Sequence, residues 1–316
     1  MTTVFQFPGQ GSQAVGMGRA FSEASPAAKA VFVEANDALG FDLARLIFDG
    51  PESELALTAN TQPAVLTASV AAAAACAERG LRPDLAAGHS LGEYSALVVA
   101  GALAFADAVR IVRRRGELMQ EAVPVGTGAM AAILGLDLPT VETICAEAAQ
   151  GPSGREVADV ANINATGQIV VAGHRAAVER AVALAASRGG RKSVMLPVSA
   201  PFHCALMTPA AERLADELER VRVSDPVIPV VRNVDGGVSR TAADVTPALL
   251  RQVANPVRWA ACVQRLAEEG GRAFVEVGPG RVLTGLLRRI LDGANGFAVE
   301  DPPALEKAVA GVRSGA

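Results

Sequence analysis

The chain has 316 residues, half of them apolar and 20% charged, which is enough for about two domain-sized units and too apolar for a disordered chain. Its formal charge of −4 offers no general attraction for nucleic acid or anionic lipid. Four cysteines, Cys76, Cys145, Cys204 and Cys262, lie far apart with no C-x-x-C pair, arguing against a disulfide framework or a zinc site.

The first residues, Met1 to Phe7, lack the basic and apolar regions of a signal peptide. The most apolar stretches, Ala64 to Ala77 and Ala96 to Ala106, are shorter than the roughly 20 residues that cross a bilayer. A cytoplasmic protein is expected. Val4 to Phe7 reads as a strand ended by Pro8-Gly9-Gln10-Gly11, and Pro26, Pro63 and Pro256 mark helix starts, where a missing N–H costs least. Leu85 to Ala87 is a short strand before a helix from Leu91 to Ala100, and Phe105 to Val123 is a longer helix. Next come strand Met130 to Leu134, helix Pro139 to Gln150, strand Val157 to Asn162, strand Gln168 to Ala172, helix Arg175 to Arg188 and strand Lys192 to Leu196. That β-α-β-β-α-β order is the ferredoxin-like split motif. The pattern predicts an α/β fold in which a small unit, 125–196, is inserted into a larger one made of 1–124 and 197–316. The larger unit resumes with helix Met207 to Val221, strand Val227 to Val231, helix Pro256 to Glu269, strand Ala273 to Val277 and helix Arg281 to Leu291.

Gly88-His89-Ser90-Leu91-Gly92 matches G-x-S-x-G between a strand and a helix, the setting in which a Ser hydroxyl projects from a sharp turn. A nucleophilic Ser needs a base, and the histidines are His89, His174 and His203. His89 adjoins the nucleophile and should point elsewhere, and His174 opens a polar helix and should be solvated, which leaves His203. On the 105–123 helix the apolar stripe runs Phe105, Val109, Val112, Gly116, Met119, Val123, and Arg115 falls on it. An inward guanidinium must find an anion, either a protein carboxylate or one on a ligand. The loop Pro8 to Gln13 could aim N–H groups at an oxyanion or be a plain polar turn. Arg188, Arg191 and Lys192 could meet CoA phosphates or an acidic partner, with a solvated charged edge the simpler alternative.

Taken with Glu93-Tyr94-Ser95-Ala96, Arg115-Gly116, Phe202-His203, Asn255-Pro256-Val257-Arg258-Trp259 and Glu276-Val277-Gly278-Pro279-Gly280, these motifs resemble the malonyl-CoA:acyl carrier protein transacylase family over essentially the whole chain. The resemblance implies a hydrolase-like core with a parallel sheet and a ferredoxin-like inserted domain. It implies that Ser90 carries malonyl as an ester, that His203 is its base, and that Arg115 clamps the malonyl carboxylate. It also implies an oxyanion hole from the N–H groups of Gln10 and Leu91, and a Gln252 carbonyl that orients His203. Gln62, Asn162, Asn164 and Phe202 match cleft-lining positions, and Lys192 a contact to CoA or carrier. The implied partners are malonyl-CoA and an acyl carrier protein, for a monomer without metal or redox cofactor. A serine hydrolase or thioesterase would use the same elbow, but no acidic residue between Ser90 and His203 stands out as a third member. A carrier-docking module would not need both Ser90 and Arg115. A malonyl transferase of a polyketide synthase or malonate decarboxylase stays open.

Overall fold

The computed structural model describes residues 1–316 except Ser153, Asn295 and Ala316. Strand β1 (Thr3–Phe7) leads to helices α1 (Arg19–Ala24), α2 (Pro26–Leu39), α3 (Leu43–Asp49), α4 (Glu52–Leu55) and α5 (Thr58–Glu78). Then follow β2 (Leu85–Gly88), α6 (Gly92–Val99) and α7 (Phe105–Glu121). The central segment holds β3 (Gly128–Leu134), α8 (Leu138–Ala148), a two-residue hairpin of β4 (Gln150–Gly151) and β5 (Gly154–Arg155), β6 (Ala158–Ala165), β7 (Gln168–His174), α9 (Arg175–Ser187) and β8 (Lys192–Met195). The chain closes with α10 (Thr208–Glu219), β9 (Val230–Val231), β10 (Val238–Ser239), α11 (Ala242–Ala254), α12 (Trp259–Glu268), β11 (Ala273–Val277), α13 (Val282–Ile290), β12 (Gly296–Val299) and α14 (Pro302–Ser314).

Two sheets organise these elements. The larger runs β10-β9-β2-β1-β11-β12 and is parallel except for the β9–β10 pair. Its central strands β1 and β11 are buried along their whole length, as expected of parallel strands covered by helices on both faces. The smaller sheet, β6-β7-β3-β8, is antiparallel throughout. Helices α8 and α9 pack against it over a core that includes Ile133, Ile144, Val171 and Val178. Met130, Ala161, Val170 and Ala172 from the same strands belong instead to the main core, so the other face of the smaller sheet is continuous with the apolar core of the larger unit.

Local chemistry explains most boundaries. Ser25 caps α2 through Ala28 N, Asp137 caps α8 through Thr140 N, and Asp301 caps α14 through Ala304 N. Buried Glu276 on β11 accepts from Leu283 N and Thr284 N, satisfying the open donors of α13.

Two prolines depart from their expected role. Pro63 does not start a helix but lies inside α5, which begins at Thr58. The Ala59 carbonyl that Pro63 cannot engage accepts from Arg113 at 3.2 Å, so the interior proline leaves no orphan. Pro256 likewise precedes α12 by three residues. Between them Val257 gives its N–H to Ala161 O and accepts from Ile163 N, each at 2.9 Å, stitching the large unit to β6.

Candidate active site

The turn between β2 and α6 exists because two positions tolerate no side chain. A Cβ on Gly88 would sit 1.9 Å from the Gly92 backbone, and one on Gly92 would sit 2.1 Å from Phe7 O. This close passage forces Ser90 into the left-handed region at φ 52°, which costs a non-glycine residue about 1–2 kcal/mol. Hydrogen bonds hold it there: Ser90 N donates to Asn233 Oδ1 at 2.6 Å, and Ser90 O accepts from Gln252 Nε2 at 3.0 Å.

From this turn the Ser90 hydroxyl lies 2.7 Å from His203 Nε2. His203, also left-handed at φ 60°, follows the connection out of β8. Its Nδ1 is 2.9 Å from the carbonyl of Gln252. A carbonyl can only accept, so Nδ1 carries the ring proton and Nε2 is left to accept from Ser90 Oγ. Burial, then the nearby Arg115 charge, push the His203 pKa down to about 3, against the raising effect of the Gln252 carbonyl. The imidazole is therefore neutral near pH 7 and ready to take a proton.

Arg115 comes from α7 with the apolar stripe and is 2% exposed. Its Nη1 donates to Gln62 Oε1 at 2.8 Å, and its Nη2 to Gln252 Oε1 at 2.9 Å and to Ser90 Oγ at 3.1 Å. The Tyr94 ring lies 5.6 Å from the guanidinium carbon. Among the described residues its Nε has no partner and no carboxylate pairs with it. A buried cation held only by neutral groups is arranged for an anion that arrives from outside. By contrast, Arg113 on the outer side of α7 makes the expected pair with Glu117 at 2.8 Å.

Beneath the elbow lies a polar network that the sequence patterns leave out. Glu93 Oε2 accepts from Asn233 N at 3.0 Å and from Gln252 Nε2 at 2.8 Å. Burial pushes the Glu93 pKa up to about 7, against those two hydrogen bonds and Arg232. Gln252 thus contributes more than its carbonyl, since its amide joins Ser90, Arg115 and Glu93.

A cavity of about 400 Å³ opens on Ser90, lined among others by Gln10, Gln62, Leu91, Arg115, Met119, Met130, Asn162, Leu196, Phe202 and His203. It lies in the range of small-molecule sites. Among the described residues the N–H groups of Gln10 and Leu91 have no protein acceptor. The Gln10 side chain is tied to Thr58 Oγ1 at 3.1 Å. A bulge in β6 at Asn162 accompanies that residue's place in the cavity wall.

Other expected positions fall elsewhere. Asn164 does not line the cavity; its Oδ1 meets His89 Nε2 at 2.9 Å, and the His89 ring packs 5.6 Å from Trp259. His174 is half-buried rather than solvated, because its Nδ1 accepts from Val157 N at 2.9 Å. Lys192 is exposed at the start of β8, which reaches the cavity only beyond its other end at Leu196.

The acyl transferase domain family matches residues 4–307. The malonyl CoA-acyl carrier protein transacylase of Salmonella typhimurium is 50% identical over 306 residues, covering 96% of this chain and 98% of that protein. The Bacillus subtilis protein of the same name is 46% identical over 96% of this chain and 95% of its own length. Among solved structures, the acyl-carrier-protein S-malonyltransferase of Burkholderia pseudomallei aligns with TM-score 0.94 at 48% identity, covering 98% of this chain and all of that one (100%). A malonyl-transacylase in complex with a type II PKS acyl-carrier protein aligns with TM-score 0.94 at 47% identity, over 98% of this chain and 99% of that one. The chain belongs to the acyl transferase domain family and, within it, groups with the malonyl-CoA:acyl carrier protein transacylases.

Proposed function

We propose that the protein moves a malonyl group from malonyl-CoA to the phosphopantetheine thiol of an acyl carrier protein through a malonyl ester on Ser90. The observation that carries the reading is Arg115: a buried guanidinium without a carboxylate partner among the described residues, 3.1 Å from a serine hydroxyl that is 2.7 Å from a neutral imidazole. A hydrolase of simple esters has no use for that charge, whereas a malonyl thioester brings the matching anion.

In the first half-reaction Ser90 Oγ attacks the thioester carbonyl as its proton passes to His203 Nε2. The developing oxyanion accepts from the N–H groups of Gln10 and Leu91. The intermediate collapses with cleavage of the carbon–sulfur bond, and His203 returns the proton to the departing CoA thiolate. In the second half the carrier thiol gives its proton to His203, attacks the ester and leaves malonyl on sulfur, restoring Ser90 as an alcohol. Arg115 holds the free carboxylate in both halves, while Gln62 and Gln252 fix the guanidinium plane. Phe202 and Asn162 bound the acyl pocket; the exposure of Lys192 leaves it to the approach of CoA or carrier rather than to the acyl group.

The same reading includes a hydrolase-like catalytic unit, 1–124 with 197–316, and a ferredoxin-like insert, 125–196, supported by the two separate sheets and the strand order of the smaller one. It acts as a monomer in the cytoplasm, without metal or redox cofactor. The test is intact-mass analysis with malonyl-CoA and no acceptor. One malonyl mass should appear on Ser90, vanish in Ser90→Ala, and pass to an added holo carrier protein. A malonyl group on another residue, or hydrolysis in place of transfer to the carrier, would reject the reading.

A further inference from the structure

We propose that Asn233 is the positioning residue that braces the Ser90 elbow and fixes the Ser90 hydroxyl against His203. The inference rests on the reading of Ser90 as nucleophile.

Asn233 lies just after β9 and is fully buried, at 0% exposure. Its side chain meets the elbow with both ends. Oδ1 accepts from Ser90 N at 2.6 Å while Nδ2 donates to Gly88 O at 2.8 Å. One amide thus spans the turn, and only a group that accepts at one end and donates at the other can do so. The same Oδ1 receives Gln252 Nε2 at 3.3 Å. Asn233 is itself fixed from both sides, its N–H donating to Glu93 Oε2 at 3.0 Å and its carbonyl accepting from Arg258 N at 2.9 Å. The bond to Ser90 N also has a chemical consequence. It removes that N–H from the oxyanion's reach and leaves the task to the unengaged N–H groups of Gln10 and Leu91. The bond falls on the one elbow position held at positive φ, the residue whose hydroxyl faces His203.

The test measures how fast a small fluorophosphonate without a carboxylate labels Ser90, alongside calorimetric binding of the malonate ion. Asn233→Ala should slow labelling about 10²-fold, the scale of a misplacement of about 1 Å. Malonate affinity should be unchanged, because Gln62 and Gln252 still hold Arg115. Asn233→Asp covers the case in which the alanine variant fails to fold. Its carboxylate accepts from Ser90 N but cannot donate to Gly88 O, whereas the protonated acid does both. Labelling of this variant should therefore rise toward the wild-type rate as pH falls. The groups facing position 233 are Glu93 on α6, Cys262 on α12, and Arg232 and Asp235 on its own turn, and all are shared with the wild-type control. A folded Asn233→Ala protein labelled at the wild-type rate, or an Asn233→Asp profile that superimposes on the wild type, overturns the proposal. A wild type labelled elsewhere than Ser90 overturns the nucleophile reading itself, a result distinguishable from either.

Discussion

The parallel and antiparallel units face one cavity with different chemistry. From the parallel unit come Ser90, Arg115, His203 and Gln10, with charge, proton and hydrogen-bond donors; from the antiparallel unit come Met130, Asn162 and Leu196, which are neutral. Phe202 lies on the return path between them. The contrast suggests a division of labour to be tested: the ionisable groups come from one side, while the other adds only neutral wall. Substitutions of Ser90 and His203 should change rate, that of Arg115 should change whether a carboxylate is required, and those along the neutral wall should change which C2 substituent is accepted.

His203→Ala bears on the first half of that contrast with the largest expected effect. The variant should fold and lose about 10²–10⁴-fold in both half-reactions, the usual contribution of a positioned base. Because the free-enzyme His203 pKa is about 3, wild-type kcat/KM should persist well below pH 6, and its acid limb should be absent from the variant. A rate near wild type would make His203 a structural loop residue.

Arg115→Ala should cost malonyl transfer about 2–4 kcal/mol in kcat/KM while sparing acetyl transfer, which offers no carboxylate. Arg115→Lys should restore little, since an ammonium lacks the planar fork. Equal losses for malonyl and acetyl would show that Arg115 does not read the substrate carboxylate.

Phe202→Ser sharpens the other half. With the phenyl ring gone, methylmalonyl should gain on malonyl by about 1–3 kcal/mol in kcat/KM, mainly through faster reaction of the branched substrate. Competition assays read this ratio; an unchanged ratio with a lower melting temperature would make Phe202 a packing residue only.

The smallest effect concerns Glu93. Its folded-state pKa is raised from 4.5 to about 7, so between those values the folded chain binds more protons than the unfolded one. Stability from this group is present below pH 4.5 and lost as pH rises through 7. Relative to Glu93→Gln, the wild type should therefore lose about 4 °C in melting temperature between pH 5 and 8. His203, depressed from 6.5 to about 3, works in the opposite sense, losing its contribution as pH falls through that window. A melting-temperature difference constant with pH would show that Glu93 does not titrate there.

What the sequence displays and what it conceals follow the same physical line. Ser90 and Arg115 are legible because their cues are local: a glycine-flanked turn, and a cation on an apolar helical stripe. His203 emerges only by exhausting the alternatives. Asn233 carries no local cue, since its partners Gly88 and Ser90 are more than 140 residues away. Glu93 lies in a quoted motif, yet its role depends on Asn233 and Gln252. In the fold, the alternation of strands and helices from 130 to 196 yields the four strands of the smaller sheet in order, with ends off by up to three residues and the β4–β5 hairpin missed. Helices α11 and α14 are absent from the sequence reading even though Thr241 with Asp244, and Asp301 before Pro302, are legible caps. Pro63 misleads because its remedy, Arg113, lies fifty residues further on.

The Arg115 guanidinium, which makes no salt bridge among the described residues, matters beyond catalysis. A desolvated cation with no carboxylate bonded to it among the described residues should make the folded chain responsive to small anions in its solution. An anion that binds there, and not to the unfolded chain, adds about 2.7 kcal/mol of stability at a hundred times its dissociation constant. The melting temperature of the resting protein should then depend in part on the anions of its buffer. A carboxylate buffer that binds there should raise the melting temperature while competing with a carboxylate-bearing substrate for the same seat, so storage and assay conditions should pull in opposite directions.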